Sequence, residues 1–376
     1  IAANPVTFLR DLAPKAPEYA RLMKARIELL DQLARGGWGP KVPANSLKPG
    51  DSGASVVALR NRLIEMGYME RSASMEYDGA LQKAVQLFQF DMGLNTDGVA
   101  GAGTMSAINR DIVDRLPSII VAMERERWMN IERGRRHVWV NLVDFTAAIV
   151  DDGEVTFKTR SVIGADTSDR RTPEFSDVME YMEINPYWNV PRSIAVNEYL
   201  PRMIASGGAA AGHLQLVRGG RVFSRGSVDW ANVSVRGFPF DLRQPPSRGN
   251  ALGLVKFMFP NRHNIYLHDT PAKSLFARDV RTFSHGCIRL NDPFDFAYHL
   301  LAVQVDNPKQ YFDQIRDSGQ NTRVDLENPI PVHLVYRTAF ISPKGRLNFR
   351  NDVYDRDGKI FNALVRAGVA LNALRS

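Results

Sequence analysis

The sequence predicts an α+β chain of several domains, with a helical N-terminal part followed by a mainly β part that carries an inserted lid. Three observations lead there. Apolar residues recur at helical spacing through the first third of the chain, and near Val138 the period switches to two. Between Arg192 and Asn250 the pattern dissolves into a stretch rich in Gly, Ala and Arg, too long for a simple loop inside a sheet. At 376 residues the chain can hold two or three domains that each bury a core.

Residues 1–46 read as a partial helical scaffold and linker. Leu22, Ile27, Leu29, Leu30 and Leu33 form an apolar stripe, which stops at Gly36-Gly37 and gives way to a Pro- and Gly-rich run from Trp38 to Gly50. Residues 47–112 read as a compact three-helix unit. Asp51 or Ser52 is placed to cap a helix burying Val56, Leu59 and Leu63 that ends at Gly67. A second helix runs from Gly79 to Met92 over Leu81, Val85 and Phe88. The Asp97-Gly98 turn follows, and Thr104 opens a third helix.

Residues 113–376 are expected to form the catalytic domain. It starts with a connecting helix, about Leu116 to Arg133, followed by strands at Val138–Leu142, Ala147–Val150, Val155–Ile163 and Val178–Ile184. Asp152-Gly153 is a hairpin turn. Within the insertion, 192–250, a helix is expected at Ala195–Ala205 and short strands at Leu214–Phe223. Strands return at Gly253–Phe259, Asn264–His268 and Val332–Phe340.

Composition narrows the function classes. Apolar residues are 44% and charged residues 24%, ordinary for a globular protein. No apolar run is long enough to span a bilayer. The chain starts at Ile1 rather than Met, so a start segment is expected to have been removed, which leaves room for a signal peptide or a membrane anchor. The net charge of +7 is spread along the chain, without the concentrated stripe and reading helix that nucleic-acid binding calls for. One cysteine, Cys287, excludes an internal disulfide and a multi-cysteine zinc site; neither metal nor cofactor is expected.

The chemistry concentrates around that cysteine, in Phe283-Ser284-His285-Gly286-Cys287-Ile288-Arg289-Leu290. Asp292 and Pro293 mark a helix start just beyond it, so Cys287 lies at a strand end near a turn. Gly286 lets backbone approach a substrate. Upstream, alternation in Asn264-Ile265-Tyr266-Leu267-His268 sets Ile265 and Leu267 on a core face, and Tyr266 and His268 on a cleft face. A thiol nucleophile needs a base. His285 sits two residues before Cys287, where its ring can instead order the backbone. His268 is nineteen positions away (287 minus 268), enough to bring a second strand alongside, and is the preferred base. His137, His213, His263, His299 and His333 have no such setting.

His268 together with Ser284-His285-Gly286-Cys287-Ile288-Arg289 resembles the signature of the L,D-transpeptidase (YkuD) family. Pro186-Tyr187-Trp188-Asn189-Val190-Pro191, Asn250-Ala251-Leu252-Gly253 and Lys256-Phe257 extend the likeness to its large YcbB-like branch. Residues 47–112, through Leu47-Lys48-Pro49-Gly50-Asp51-Ser52-Gly53 and Asp97-Gly98 to Thr104, resemble the three-helix peptidoglycan-binding domain. These resemblances imply a mainly β L,D-transpeptidase catalytic domain with a capping insertion, preceded by that binding domain. They also imply a place in the periplasm or cell envelope and peptidoglycan stem peptides as partners.

By the resemblance, Cys287 attacks a donor tetrapeptide to form a thioester, and an amine of a neighbouring stem resolves it into a 3–3 cross-link. His268 serves as base, and the N–H groups of Gly286 and Cys287 hold the oxyanion. Tyr266, Ser284 and Arg289 line the substrate site, Arg289 either binding a substrate carboxylate or buttressing the loop. Carbapenems are expected to acylate Cys287. Two alternatives stay open: an L,D-carboxypeptidase or hydrolase on the same peptides, and a non-catalytic wall-binding protein.

Overall fold

The computed structural model describes Pro14 and residues 16–369; the first residues of the expected N-terminal scaffold lie outside these. The described chain divides into two compact units. One takes the residues up to Glu132, Asn141–Asp144, and those from Tyr336 on; the other takes Arg133–Val140 and Phe145–Val335.

In the first unit, α1 (Pro17–Ala34) opens with proline at its first turn, where the missing N–H costs nothing. It buries Leu22 and Ala25, whereas Ile27, counted on the apolar stripe, is exposed. The three-helix unit follows as α2 (Ala54–Glu65), α3 (Gly79–Asp91) and α4 (Ala102–Ile108) around Val56, Leu59, Leu63, Leu81, Val85 and Phe88. The cap expected at Asp51 or Ser52 is absent: Gly53 holds that position at φ +107°, and the Asp51 carboxylate accepts from the Lys48 N–H instead. Gly67 does end α2, as its N–H and that of Tyr68 reach back to Ile64 and Leu63. Asp78 caps α3 through the Leu81 N–H at 2.9 Å. Thr104 lies inside α4 and accepts from Gln89, which also reads the Asp97-Gly98 turn.

The helix expected at Leu116–Arg133 is α5 (Ile112–Trp128), started by a reciprocal Asp111/Asp114 capping box. Its Ile119 and Ala122 pack with Leu22 of α1 and with Ala339 and Phe349. Buried pairs Arg125–Asp357 (2.6 Å) and Arg337–Glu126 (2.9 Å) lie in the same unit. Residues after Tyr336 therefore share a core with α1 and α5, whereas the expected boundaries put α1 in the scaffold of 1–46 and these residues with α5 in 113–376.

The second unit is built on a mixed sheet. Strands β1 (Arg136–Asn141), β2 (Thr146–Asp151), β3 (Glu154–Gly164) and β4 (Phe175–Ile184) come first. The β2–β3 hairpin turns on Asp152 at φ +50° and Gly153 at φ +89°, the left-handed pair that an Asp-Gly turn supplies. The insertion follows, with a helical run Arg192–Ala205 and a small sheet ordered β5-β8-β6-β7, from β5 (Trp188–Asn189), β6 (Gln215–Arg218), β7 (Arg221–Phe223) and β8 (Asp241–Gln244). It has its own core of Leu200, Met203, Leu216, Trp230, Phe238 and Phe240. At its base the fully buried Asn250 amide donates to the carbonyls of Pro186, Gln244 and Pro245.

The main sheet resumes with β9 (Val255–Met258), β10 (Leu267–His268), β11 (Thr282–Ser284), β12 (Ile288–Leu290) and β13 (Thr322–Val335). Its order is β11-β3-β12-β10-β9-β4-β13-β1-β2, and β2 also pairs with β3, so the sheet closes on itself. β13 starts ten residues before the expected Val332, since a register shift between Asp325 and Ile330 absorbs the Asn328-Pro329 interruption. The helix Pro293–Leu301 starts at Asp292 and Pro293 as expected; the Asp292 carboxylate accepts from Thr159 Oγ1 at 2.7 Å rather than capping.

Candidate active site

The crossover between His268 and Cys287 sets β10 and β12 side by side and parallel, with Leu267 opposite Ile288 and His268 opposite Arg289. Residues opposite one another in adjacent strands point to the same face, and neighbours along a strand alternate. Leu267 and Ile288 are fully buried on the core face. Tyr266, His268, Cys287 and Arg289 therefore share the other face, with the Tyr266 and His268 ring centroids 5.6 Å apart.

The sulfur's immediate neighbour is Tyr266. Its hydroxyl and backbone N–H favour negative charge on Cys287 Sγ, while the thiol faces the Asn264 carbonyl at 3.5 Å. The side chain stays partly accessible, but its dense surroundings push the thiol up to about 11. The Tyr266 donors and the charges of Arg289 and Lys256 offset only part of this. Burial pushes His268 down to about 3, helped by the positive Arg289. His268 Nδ1 contacts the Asp269 backbone oxygen. A carbonyl only accepts, so Nδ1 carries the proton and Nε2 presents a bare lone pair. At neutral pH the site thus rests as a neutral thiol beside a neutral imidazole, with no direct hydrogen bond between them. Any attack by this sulfur would therefore need its proton taken at the same time, the task of a general base.

His285 takes a different partner. Its Nε2 donates to Glu198 Oε1 of the insertion at 2.6 Å, and Arg170 Nη2 donates to the same oxygen at 2.7 Å. Two groups of the cysteine turn are engaged within it. Ser284, expected against substrate, is buried; its hydroxyl donates to the Cys287 carbonyl and accepts the Gly286 N–H at 3.1 Å, so it braces the turn. The Gly286 N–H, expected in the oxyanion site, is thereby engaged in this conformation.

Gly286 itself is required by its φ of +114°. Its carbonyl accepts from Thr172 Oγ1 at 2.7 Å, which in turn accepts the Gly164 N–H at 2.9 Å. A methyl group on Gly164 would lie 1.9 Å from the Arg170 carbonyl and 2.8 Å from the Thr172 nitrogen, both backbone atoms. Gly164→Ala is therefore expected to push the 165–172 loop off the cysteine turn. The expected cost is roughly 1–3 kcal/mol, read as a lower denaturation midpoint.

Arg289 is half-buried. Burial lowers its pKa, its Nε has no hydrogen-bond partner, and among the described residues it pairs with no carboxylate. The neighbouring cations are matched, Lys256 by Glu183 at 3.1 Å and Lys273 by Asp269 at 2.8 Å. Arg289 is thus the cation on this face equipped to receive an anionic group from outside.

Sequence reasoning missed Glu198, Arg170, Thr172 and Lys256. Lys256 carried a signal, lying in a quoted stretch on an alternating strand. The others lie far from the cysteine in sequence, with nothing local to mark them.

The family model described as L,D-transpeptidase catalytic domain (YkuD) matches residues 135–326, and that described as "Putative peptidoglycan binding domain" matches residues 52–108. A curated relative from Haemophilus influenzae, named "Putative L,D-transpeptidase", is 30% identical over 242 residues, 64% of this chain and 48% of that protein. The chain thus spans about half the length of the curated relative it matches. Solved structures with similarity include an L,D-transpeptidase from Stackebrandtia nassauensis (15% identity, 79% of this chain and 97% of that one, TM-score 0.29). Another is the L,D-transpeptidase LdtMt1 in complex with imipenem (15% identity, 54% and 59%, TM-score 0.24). Superpositions that loose carry no residue assignment.

Proposed function

Since the chain belongs to the YkuD family of L,D-transpeptidase catalytic domains, we propose that it joins peptidoglycan stem peptides through a thioester on Cys287. The observation that carries this reading is the shared face of β10 and β12, where the sole thiol, an imidazole with a bare Nε2 and an unmatched guanidinium converge.

In the first step the Cys287 sulfur attacks the carbonyl carbon at the L-centre of diaminopimelate in a donor tetrapeptide, and its proton passes to His268 Nε2. The bond to the terminal D-Ala nitrogen breaks, and that amine leaves with the imidazolium proton. In the second step the side-chain amine of an acceptor stem attacks the thioester carbonyl and gives its proton to His268. The departing sulfur is reprotonated and a 3–3 cross-link remains. The Tyr266 hydroxyl, near the sulfur, would stabilise negative charge on it as the thiol ionises and again as it departs. The Cys287 N–H supplies oxyanion stabilisation, joined by Gly286 only if its bond to Ser284 opens.

Arg289 is assigned to a substrate carboxylate. Removing a charge-assisted hydrogen bond of this kind costs roughly 1.5–3 kcal/mol. Arg289→Gln is accordingly expected to raise KM about tenfold or more, with a smaller change in kcat, in steady-state assays. An unchanged KM would return Arg289 to a buttressing role.

The peptidoglycan-binding domain at 52–108 ties the enzyme to the cell envelope, and we place it in the periplasm. Tyr77 is buried with its hydroxyl on the Gly98 carbonyl, and Tyr68 lies edge-on to Phe88 under the Arg346 guanidinium. Glycan contact by that domain therefore does not run through an open face of either ring. Incubation with disaccharide-tetrapeptides, with products sequenced by tandem mass spectrometry, tests the reaction. Dimers linked between two diaminopimelate residues support transfer; shortened monomers alone identify a carboxypeptidase, and untouched substrate a wall-binding protein.

A further inference from the structure

We propose that Glu198 is a positioning residue for the cysteine turn: carried on the insertion, its carboxylate holds His285 and so keeps Gly286 and Cys287 in the attacking conformation. This rests on the reading of Cys287 as nucleophile. Glu198 sits where a wide π-turn, Ala195–Tyr199, interrupts the helical run Arg192–Ala205, a distortion that recurs at functional sites. Its Oε1 accepts from His285 Nε2 at 2.6 Å and from Arg170 Nη2 at 2.7 Å. One oxygen thus ties together the insertion, the 165–172 loop and the cysteine turn. The loop touches the turn a second time, because the Thr172 hydroxyl holds the Gly286 carbonyl. Asp169 is the other charged group at this junction, 3.7 Å from Arg170.

Magnitudes separate a positioning role from a stabilising one. The three paired side chains are each about a third exposed, and ion pairs so exposed contribute little to folding. A small misplacement of a reacting atom, by contrast, costs up to about a hundredfold in rate. The contact is also made between segments 87 residues apart, so it exists only while the insertion lies against the turn. Closure of the insertion and readiness of the sulfur are then one event.

The test is steady-state kinetics of the full chain on disaccharide-tetrapeptide, with thioester on Cys287 followed by intact-protein mass. Glu198→Ala is expected to lower kcat about tenfold, with KM changed less than about threefold and the melting temperature unchanged. Glu198→Gln is expected to recover most of the rate, because an amide oxygen still accepts from His285 Nε2. The proposal is overturned if Glu198→Ala raises KM alone or leaves both constants intact. A lost rate that tracks a lower melting temperature and is not restored by glutamine also overturns it. Wild-type protein that never forms the thioester refutes the nucleophile assignment itself, whatever the Glu198 variants do.

Discussion

Cys287→Ala is expected to abolish both the thioester and every peptide product, leaving rates at background. Losing the nucleophile of a covalent mechanism removes a factor on the order of 10⁵ to 10⁶ in kcat, since the remaining groups act only through it. The fold should survive. The side chain is partly accessible and its polar contacts are confined to Tyr266 and Asn264, so the lost contacts are worth about 1 kcal/mol. Intact-protein mass gives the sharpest reading. With excess carbapenem, wild-type protein should gain one covalent adduct, mapped by peptide sequencing to Cys287, and the alanine variant none. As Cys287 is the only cysteine, no second thiol confuses the count. Unchanged product from the variant would remove the assignment, and an unmodified wild type under excess drug would count heavily against it.

His268→Gln should lower kcat by a factor of about 10² to 10⁴, the usual worth of a positioned base. The pH profile distinguishes this role from simple packing. Burial holds the imidazole down at about 3 and the thiol up at about 11. The acidic limb of kcat/KM in the wild type should therefore fall near pH 3 rather than near 6.5. In the glutamine variant that limb should vanish, and residual activity should climb with pH toward the thiol's own ionisation. A wild-type limb centred near 6.5 would mean that the imidazole works solvated, in a more open conformation than this one.

The same depressed pKa bears on stability. Between about pH 6.5 and 3 the unfolded chain binds a proton at His268 that the folded chain refuses. Stability from this group is full above 6.5 and is lost as pH falls through that window. The wild-type denaturation midpoint should then drop more steeply on acidification than that of His268→Gln. At the alkaline end the sign reverses for Cys287, whose raised pKa favours the folded state below 9 and ceases to do so as pH climbs toward 11.

Much of the molecule was readable from one dimension because the physics involved is local. The Asp152-Gly153 hairpin follows from two residues tolerating left-handed backbone, and α3 from the spacing of Leu81, Val85 and Phe88. The face shared by Tyr266 and His268 follows from strand alternation alone, and the Ser-His-Gly-Cys string with a distant histidine was enough to name the family. Errors arose where a residue had a choice of partner. Asp51 looked like a cap and bonded a neighbouring N–H instead. β8 was missed because Gly237 and Pro239 lead into it, and nothing nearby tells that it will pair with β5 and β6.

The residue types and spacings along the chain were enough to identify the family and to single out the thiol and the imidazole proposed as nucleophile and base. They did not settle that Ser284 faces inward, or that Glu198 arrives from 87 residues away to hold His285. Backbone propensity is written in neighbours a few positions apart. A hydrogen bond or ion pair between remote segments depends instead on strand register and on how an insertion lies, which arise only once the whole unit has closed around its core.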